Sequence, residues 1–249
     1  MIKAVSHRLF ARREVLLIGA AGVMTLAGFR KNPGAAFAQR SSIVETPELT
    51  EGPYFVDEQL NRSDIRIDPT DNSIQQGLPL LLRIVVTSID NGTLSPVSGA
   101  YVDVWHCNAA GLYSDVQANN TVGQKFLRGY QVTNQRGEVR FRTIYPGWYS
   151  GRTIHTHVKV RLFTESQQTY EFTSQFFFDD DITDEVFQLA PYNTREAPDT
   201  RNTVDNIYQS GSNGGGGQGS NGAQLLLRLA LGGNTQHGVA SFRIARADL

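Results

Sequence analysis

A single cysteine, Cys107, excludes an internal disulfide from this chain of 249 residues, so apolar packing, with or without a metal, must hold the fold. Charge is also sparse. Charged residues make up 19% against 40% hydrophobic, a balance that builds a packed core rather than a disordered chain. The apolar stretch Val15 to Gly28 falls short of the roughly 20 residues that span a bilayer comfortably. Helical periodicity is scarce beyond the first thirty residues, and neither an internal repeat nor a second domain is evident. The glycine-rich run Ser210 to Gly222 lacks the Gly-Lys-Ser/Thr ending and the strand-to-helix setting of a phosphate-cradling loop, and reads as a surface loop.

The first 38 residues read as an export signal rather than as structure. Lys3, Arg8, Arg12 and Arg13 form a basic start, Val15 to Gly28 an apolar middle, and Ala36-Phe37-Ala38 a small-residue cleavage site. The Arg12-Arg13 pair resembles a twin-arginine signal; an ordinary secretory signal or an uncleaved anchor is the alternative. The expected mature chain starts near Gln39, as one domain over residues 39–249, exported to the periplasm or beyond. Residues 1–38 hold six of the 23 basic residues and one of the 24 acidic ones, so the rest carries a formal net charge of −6. Such an acidic surface argues against nucleic acid as a partner. No membrane span is expected after processing.

What the chain does have is a series of short apolar and β-branched runs with turn residues between them. Strands are predicted over Leu80–Ile89, Ala100–His106, Gln131–Val132, Val139–Thr143, Ile154–Phe163, Phe172–Phe178, Ala223–Leu231 and Gly238–Ile244. Asp90-Asn91-Gly92 and Asn134-Gln135-Arg136-Gly137 supply turns. Gln39 to Glu48 reads as an extended tether. A short helix fits Asp181–Gln188, with Asp181 or Thr183 as its N-cap. The pattern predicts an all-β, two-sheet sandwich with long site loops and little helix.

The run Tyr149-Ser150-Gly151-Arg152-Thr153-Ile154-His155-Thr156-His157 sets two histidines on one face of a strand, because residues two apart point the same way. Ile154, Thr156, Val158, Val160 and Leu162 share the core face; His155, His157, Lys159 and Arg161 share the other. Neutral imidazole is a common metal ligand, so the pair could share an ion. The alternative is a polar, solvated face.

Taken in order, Gly52-Pro53-Tyr54-Phe55, the segment Trp105 to Tyr113, Tyr145-Pro146-Gly147-Trp148-Tyr149 and the His155/His157 pair resemble the intradiol ring-cleavage dioxygenases, the protocatechuate 3,4- and catechol 1,2-dioxygenases. The resemblance runs from about Leu49 to Asp180, and four pieces in order are far more specific than any one. It implies Fe(III) held by Tyr113, Tyr149, His155 and His157. It implies Arg152 as the group that stabilises charge on the substrate ring, Gln175 lining the same pocket and Tyr54 at the substrate mouth. The reaction implied inserts both atoms of O2 between the hydroxylated carbons of a catechol, giving a cis,cis-muconate-type diacid, with Tyr149 as acceptor of a substrate proton. A folded-protein export route would suit a metal loaded before export. The partners implied are an aromatic diol and O2, and an assembly of identical subunits is compatible with the sequence. Other readings stay open. Tyr145 competes with Tyr149, although the resemblance favours Tyr149, because the family's tyrosine sits six residues before the first histidine. His106 with His155 and His157 could form a three-histidine zinc hydrolase or lyase site. The scaffold could also serve as a secreted binding module without chemistry.

Overall fold

Alternating apolar residues become strands wherever turn residues bracket them. In chain order the strands are β1 (Pro79–Asp90), β2 (Thr93–Pro96), β3 (Tyr101–Trp105), β4 (Arg128–Val132), β5 (Glu138–Ile144), β6 (His155–Thr164), β7 (Gln167–Phe177), β8 (Arg228–Leu231) and β9 (Gly238–Arg246). Among the described residues three short α-helices join them: α1 (Asp180–Val186), α2 (Asn206–Ser210) and α3 (Asn221–Gln224). The structure is a computed structural model that describes residues 43–210, 221–232 and 236–249. The expected export segment and most of the glycine-rich run lie outside the described residues. No helix among those described is long and apolar enough to cross a membrane.

The strands form two sheets. In the first, β1 pairs antiparallel with β5 along its first half and with β2 along its second, while β9 runs parallel on its other side and carries β8 at the edge. The second is antiparallel throughout, in the order β4-β3-β6-β7. Leu80, Leu82, Ile84, Val86 and Phe141 from the first sheet meet Val102, Val104, Val158, Val160, Phe172 and Phe176 from the second in one buried cluster. Two sheets packed through their apolar faces make the predicted sandwich.

The four-stranded sheet positions the site, because its other face is buried as well. Cross-strand register places Arg128, Trp105, His157 and Gln175 in one row and Tyr130, Asp103, Lys159 and Thr173 in the next. The segment before β1 crosses these rows. Leu49 donates its N–H to the Thr173 carbonyl at 3.0 Å. Lys159 pairs with Glu51 and Glu171, and its ammonium lies 4.1 Å from the centre of the Phe55 ring. Arg161 bridges Asp57 and Asp103, each at 2.8 Å. The alternative of a solvated face is therefore corrected: the charges on β6 are matched by Glu51 and Asp57 from the covering segment and by Asp103 and Glu171 on the neighbouring strands β3 and β7.

Other expectations are corrected too. The N-cap of α1 is Asp179, which accepts from the Asp181 N–H at 2.9 Å, rather than Asp181 or Thr183. Ala223–Leu231 is not one strand; α3 ends at Gln224 and only Arg228–Leu231 extends. Nor is the end of the Gln39–Glu48 segment a free tether: Thr46 is buried and pairs with Ala245, its N–H donating to that carbonyl at 2.8 Å and its hydroxyl accepting from that N–H at 2.9 Å. Finally, β7 starts at Gln167, five residues before the predicted start, and forms a hairpin with β6.

Candidate active site

Two loops bring the tyrosines together above the β6 histidines. Tyr113 follows the turn after β3, and Tyr149 follows Tyr145-Pro146-Gly147-Trp148. The loops pack backbone against backbone. Gly111 has a φ of +82°, and a Cβ there would collide with the Trp148 carbonyl oxygen. A Cβ on Gly147 would sit 2.6 Å from the Ala109 carbonyl oxygen. At Gly111 only glycine permits both the conformation and the approach, and at Gly147 the approach alone demands it. The Cys107 thiol adds a third link, donating to the Gly147 carbonyl at 3.3 Å.

The side chains converge on His155. Its Nδ1 meets the Thr153 carbonyl at 2.7 Å, so Nδ1 carries the proton and Nε2 presents a lone pair. Tyr149 Oη lies 3.1 Å from that Nε2, Tyr113 Oη 3.4 Å and Arg152 Nη1 3.5 Å. Three donors thus crowd one acceptor. His157 is the opposite case. Its ring centre is 4.8 Å from that of His155 and it stacks on Trp105 at 4.8 Å and 8°, yet neither of its buried ring nitrogens has a hydrogen-bond partner. Burial, then the Arg152 charge, holds the pKa of His155 well below the ordinary imidazole value. Burial, then His155 and Arg152, does the same to His157. Both rings are therefore neutral with lone pairs to offer. Burial pushes Tyr113 well above the ordinary phenol value, and Tyr149 up to about 12 against the opposing pull of Arg152.

Arg152 is held on two sides. Its Nε donates to Asp205 at 2.8 Å and its Nη2 to Gln175 Oε1 at 2.6 Å, while Gln175 Nε2 donates to the Thr50 carbonyl at 2.9 Å. Tyr54 stacks on Tyr113, ring centres 4.6 Å apart, and meets Tyr149 edge-on at 6.1 Å. The structure thus brings Tyr54, Tyr113, Tyr149, Arg152, His155, His157 and Gln175 into one cluster. Tyr113, His155, His157 and Gln175 are at most 2% exposed, whereas Tyr54, Tyr149 and Arg152 are half-buried at its open side.

His106 does not join them. Its Nδ1 is taken by the Cys107 carbonyl at 2.8 Å and its Nε2 by the Thr143 hydroxyl at 2.6 Å. Among the described residues, no group of three or more His, Cys, Asp or Glu is placed to hold a metal ion, which corrects the three-histidine zinc alternative. Tyr145 points away, its hydroxyl 2.7 Å from Thr183 Oγ1, and so drops out as the second tyrosine. Sequence reasoning missed Trp105 as the platform for His157, and Asp205. The Asp205-Asn206-Ile207 start of α2 was a legible capping signal, but nothing local ties it to Arg152.

The donor set suits a hard cation. Two phenols become anionic oxygen ligands when a metal displaces their protons, the two imidazoles are neutral, and of the two unpartnered nitrogens of His157 the one without the proton is the lone pair a metal would satisfy.

A family model described as Dioxygenase matches residues 50–201. The chain is 28% identical over 170 residues to catechol 1,2-dioxygenase 1 of Acinetobacter lwoffii, covering 61% of this chain and 51% of that one. It is 33% identical over 150 residues to the protocatechuate 3,4-dioxygenase beta chain of Burkholderia cepacia, covering 55% and 63%. The chain thus spans about half the length of the first relative and under two thirds of the second. An intradiol ring-cleavage dioxygenase from Tetranychus urticae superposes with a TM-score of 0.67 at 26% identity, over 82% of this chain and 94% of that one. The 3-chlorocatechol 1,2-dioxygenase of Rhodococcus opacus, at a TM-score of 0.52 and 21% identity over 81% and 72%, shares the fold. With the matched residues covering most of the sandwich and its tyrosine–histidine cluster, the chain belongs to the intradiol ring-cleavage dioxygenases, a family of oxidoreductases.

Proposed function

We propose that the enzyme cleaves a catechol-type ring between its two hydroxylated carbons, using iron held by Tyr113, Tyr149, His155 and His157. The observation that carries this reading is the pair of unpartnered nitrogens on His157 beside two phenols and a second neutral imidazole. Bound there, ferric iron would draw electron density from the aromatic diol and so make the ring reactive toward O2. Both oxygen atoms enter the product diacid, so the reaction needs no external reductant.

The protein's own groups do the rest. Tyr149 is the more exposed phenol, and as a phenolate it can take a substrate hydroxyl proton. Arg152 Nη1 lies 3.5 Å from Tyr149 Oη, placed to stabilise negative charge that develops on the ring. Gln175 holds the guanidinium, and the Tyr54 ring offers an apolar wall to a flat substrate. The covering segment Leu49 to Asp57 keeps water from the histidine face.

Purified protein should bind about one iron per chain and be visibly coloured by tyrosinate-to-Fe(III) charge transfer. Titration with catechol or protocatechuate should perturb that band, and O2 should then yield a muconate-type diacid. Stoichiometric zinc, or full iron occupancy without colour, would contradict the reading. Export belongs to the same proposal: N-terminal sequencing of the protein from its native host should find a start near Gln39, and an intact Met1 would refute processing.

A further inference from the structure

Asp205 lies four residues beyond the family match, and its carboxylate is fully used. It is 1% exposed. Oδ2 accepts from Arg152 Nε at 2.8 Å and from the Thr153 N–H at 2.9 Å. Oδ1 accepts from the N–H groups of Ile207 and Tyr208, both at 2.8 Å, which makes Asp205 the N-cap of α2. One carboxylate thus joins the start of a helix to the arginine at the site.

The rest of the Arg152 loop is held separately. The Gly151 N–H donates to Asp199 Oδ1 at 3.2 Å, and Thr153 Oγ1 donates to Asn202 Oδ1 at 2.7 Å. Asp199, Asn202 and Asp205 therefore clamp residues 151–153 at three points, and of the three only Asp205 reaches the guanidinium. A guanidinium is a rigid planar fork. With Nε fixed by Asp205 and Nη2 by Gln175, the direction of Nη1 is determined, and it points at Tyr149 Oη and His155 Nε2.

We infer that Asp205 is a positioning residue for ring cleavage, acting through Arg152 by fixing the orientation in which Nη1 faces the site. The inference rests on the functional reading above. The test is Asp205→Asn in the iron-loaded protein. Asparagine caps helices about as well as aspartate, so α2 persists, but the anionic acceptor that Arg152 Nε shares with the Thr153 N–H is lost. Iron content, resting colour and anaerobic catechol affinity should stay near wild type, because no metal donor is removed. The kcat should fall about thirtyfold, the scale of a lost charge-assisted hydrogen bond. In the metal-free protein, the NMR resonance of Arg152 Nε–H, assigned by its absence in Arg152→Ala, should shift or broaden into exchange.

A double-mutant cycle closes the argument. On an Arg152→Ala background, Asp205→Asn should slow turnover by less than about twofold. Asp205→Ser, which also caps, repeats the test should the first variant fail to accumulate. If the iron-loaded wild type does not cleave catechol, the functional reading fails and this inference with it; if Arg152→Ala leaves turnover intact, the role of Arg152 and this inference fail while the functional reading stands. If Arg152→Ala slows turnover but Asp205→Asn does not, slows it equally in both backgrounds, or leaves the Nε–H resonance unmoved, the inference alone is overturned.

Discussion

Replacing His157 with alanine should abolish iron uptake and visible colour together, and cut catechol turnover by more than the ~10–100-fold that follows loss of a group one step removed from a metal. The ring is fixed from several sides: stacked on Trp105, in register with Gln175 and 2% exposed. Its two nitrogens nonetheless make no hydrogen bond. A buried polar atom without a partner costs about 1–3 kcal/mol, so the metal-free protein carries a penalty that a cation would remove at the unprotonated nitrogen. Alanine removes the same penalty but opens a cavity, and large-to-small core changes cost a comparable ~2–5 kcal/mol. The metal-free variant and metal-free wild type should therefore melt close together, whereas iron should raise the Tm of the wild type alone. Saturating a site at about a thousand times Kd stabilises by ~4 kcal/mol, a shift readily measured by calorimetry. Both tyrosine pKa values lie above the ordinary phenol value in the metal-free protein, so iron uptake by the wild type should also release protons and strengthen as pH rises. A variant that keeps full iron and full colour would remove His157 from the site.

Some of this arrangement is legible in the sequence. The period of two along Ile154–Phe163 puts His155 and His157 on one face, and the strand runs with their turns mark an all-β sandwich. The loop glycines were visible, but not that Gly111 and Gly147 let two backbones touch. What was illegible depends on pairing at long range. The row Arg128, Trp105, His157, Gln175 joins four strands, and no local pattern sets their mutual register. The burial of the charged β6 face is set by Glu51 and Asp57, about a hundred residues before Lys159 and Arg161, and each charge taken alone looks solvated. The β6–β7 hairpin was hidden because its turn uses Glu165 and Ser166 at φ of +50° and +70°, where the usual signal is Asn-Gly. In α1 the acids Asp179, Asp180 and Asp181 are near-equal capping candidates; the extended backbone of Asp179, two residues past the end of β7, settles the choice.

Arg152→Ala should separate chemistry from ligation. The substitution removes no iron donor, so iron content and the resting band should persist while kcat falls about a hundredfold or more, the effect of losing a charge-stabilising donor worth ~3 kcal/mol. Stability should fall too. Asp205 would keep its three backbone donors but lose the cation that balances a buried carboxylate, the kind of truncation that is costly in a protein interior; with the Arg152 side chain 16% exposed, water entering its place moderates that loss. Arg152→Lys should be intermediate, because an ammonium keeps the charge but cannot reach Asp205, Gln175 and the site at once. Gln175→Ala should be milder than Arg152→Ala, since Asp205 still holds Nε. The readouts are iron analysis, the visible spectrum and steady-state kinetics on one preparation of each variant. If Arg152→Ala loses iron while the fraction still loaded turns over at the wild-type rate, Arg152 is a structural residue and its electrostatic role must be abandoned.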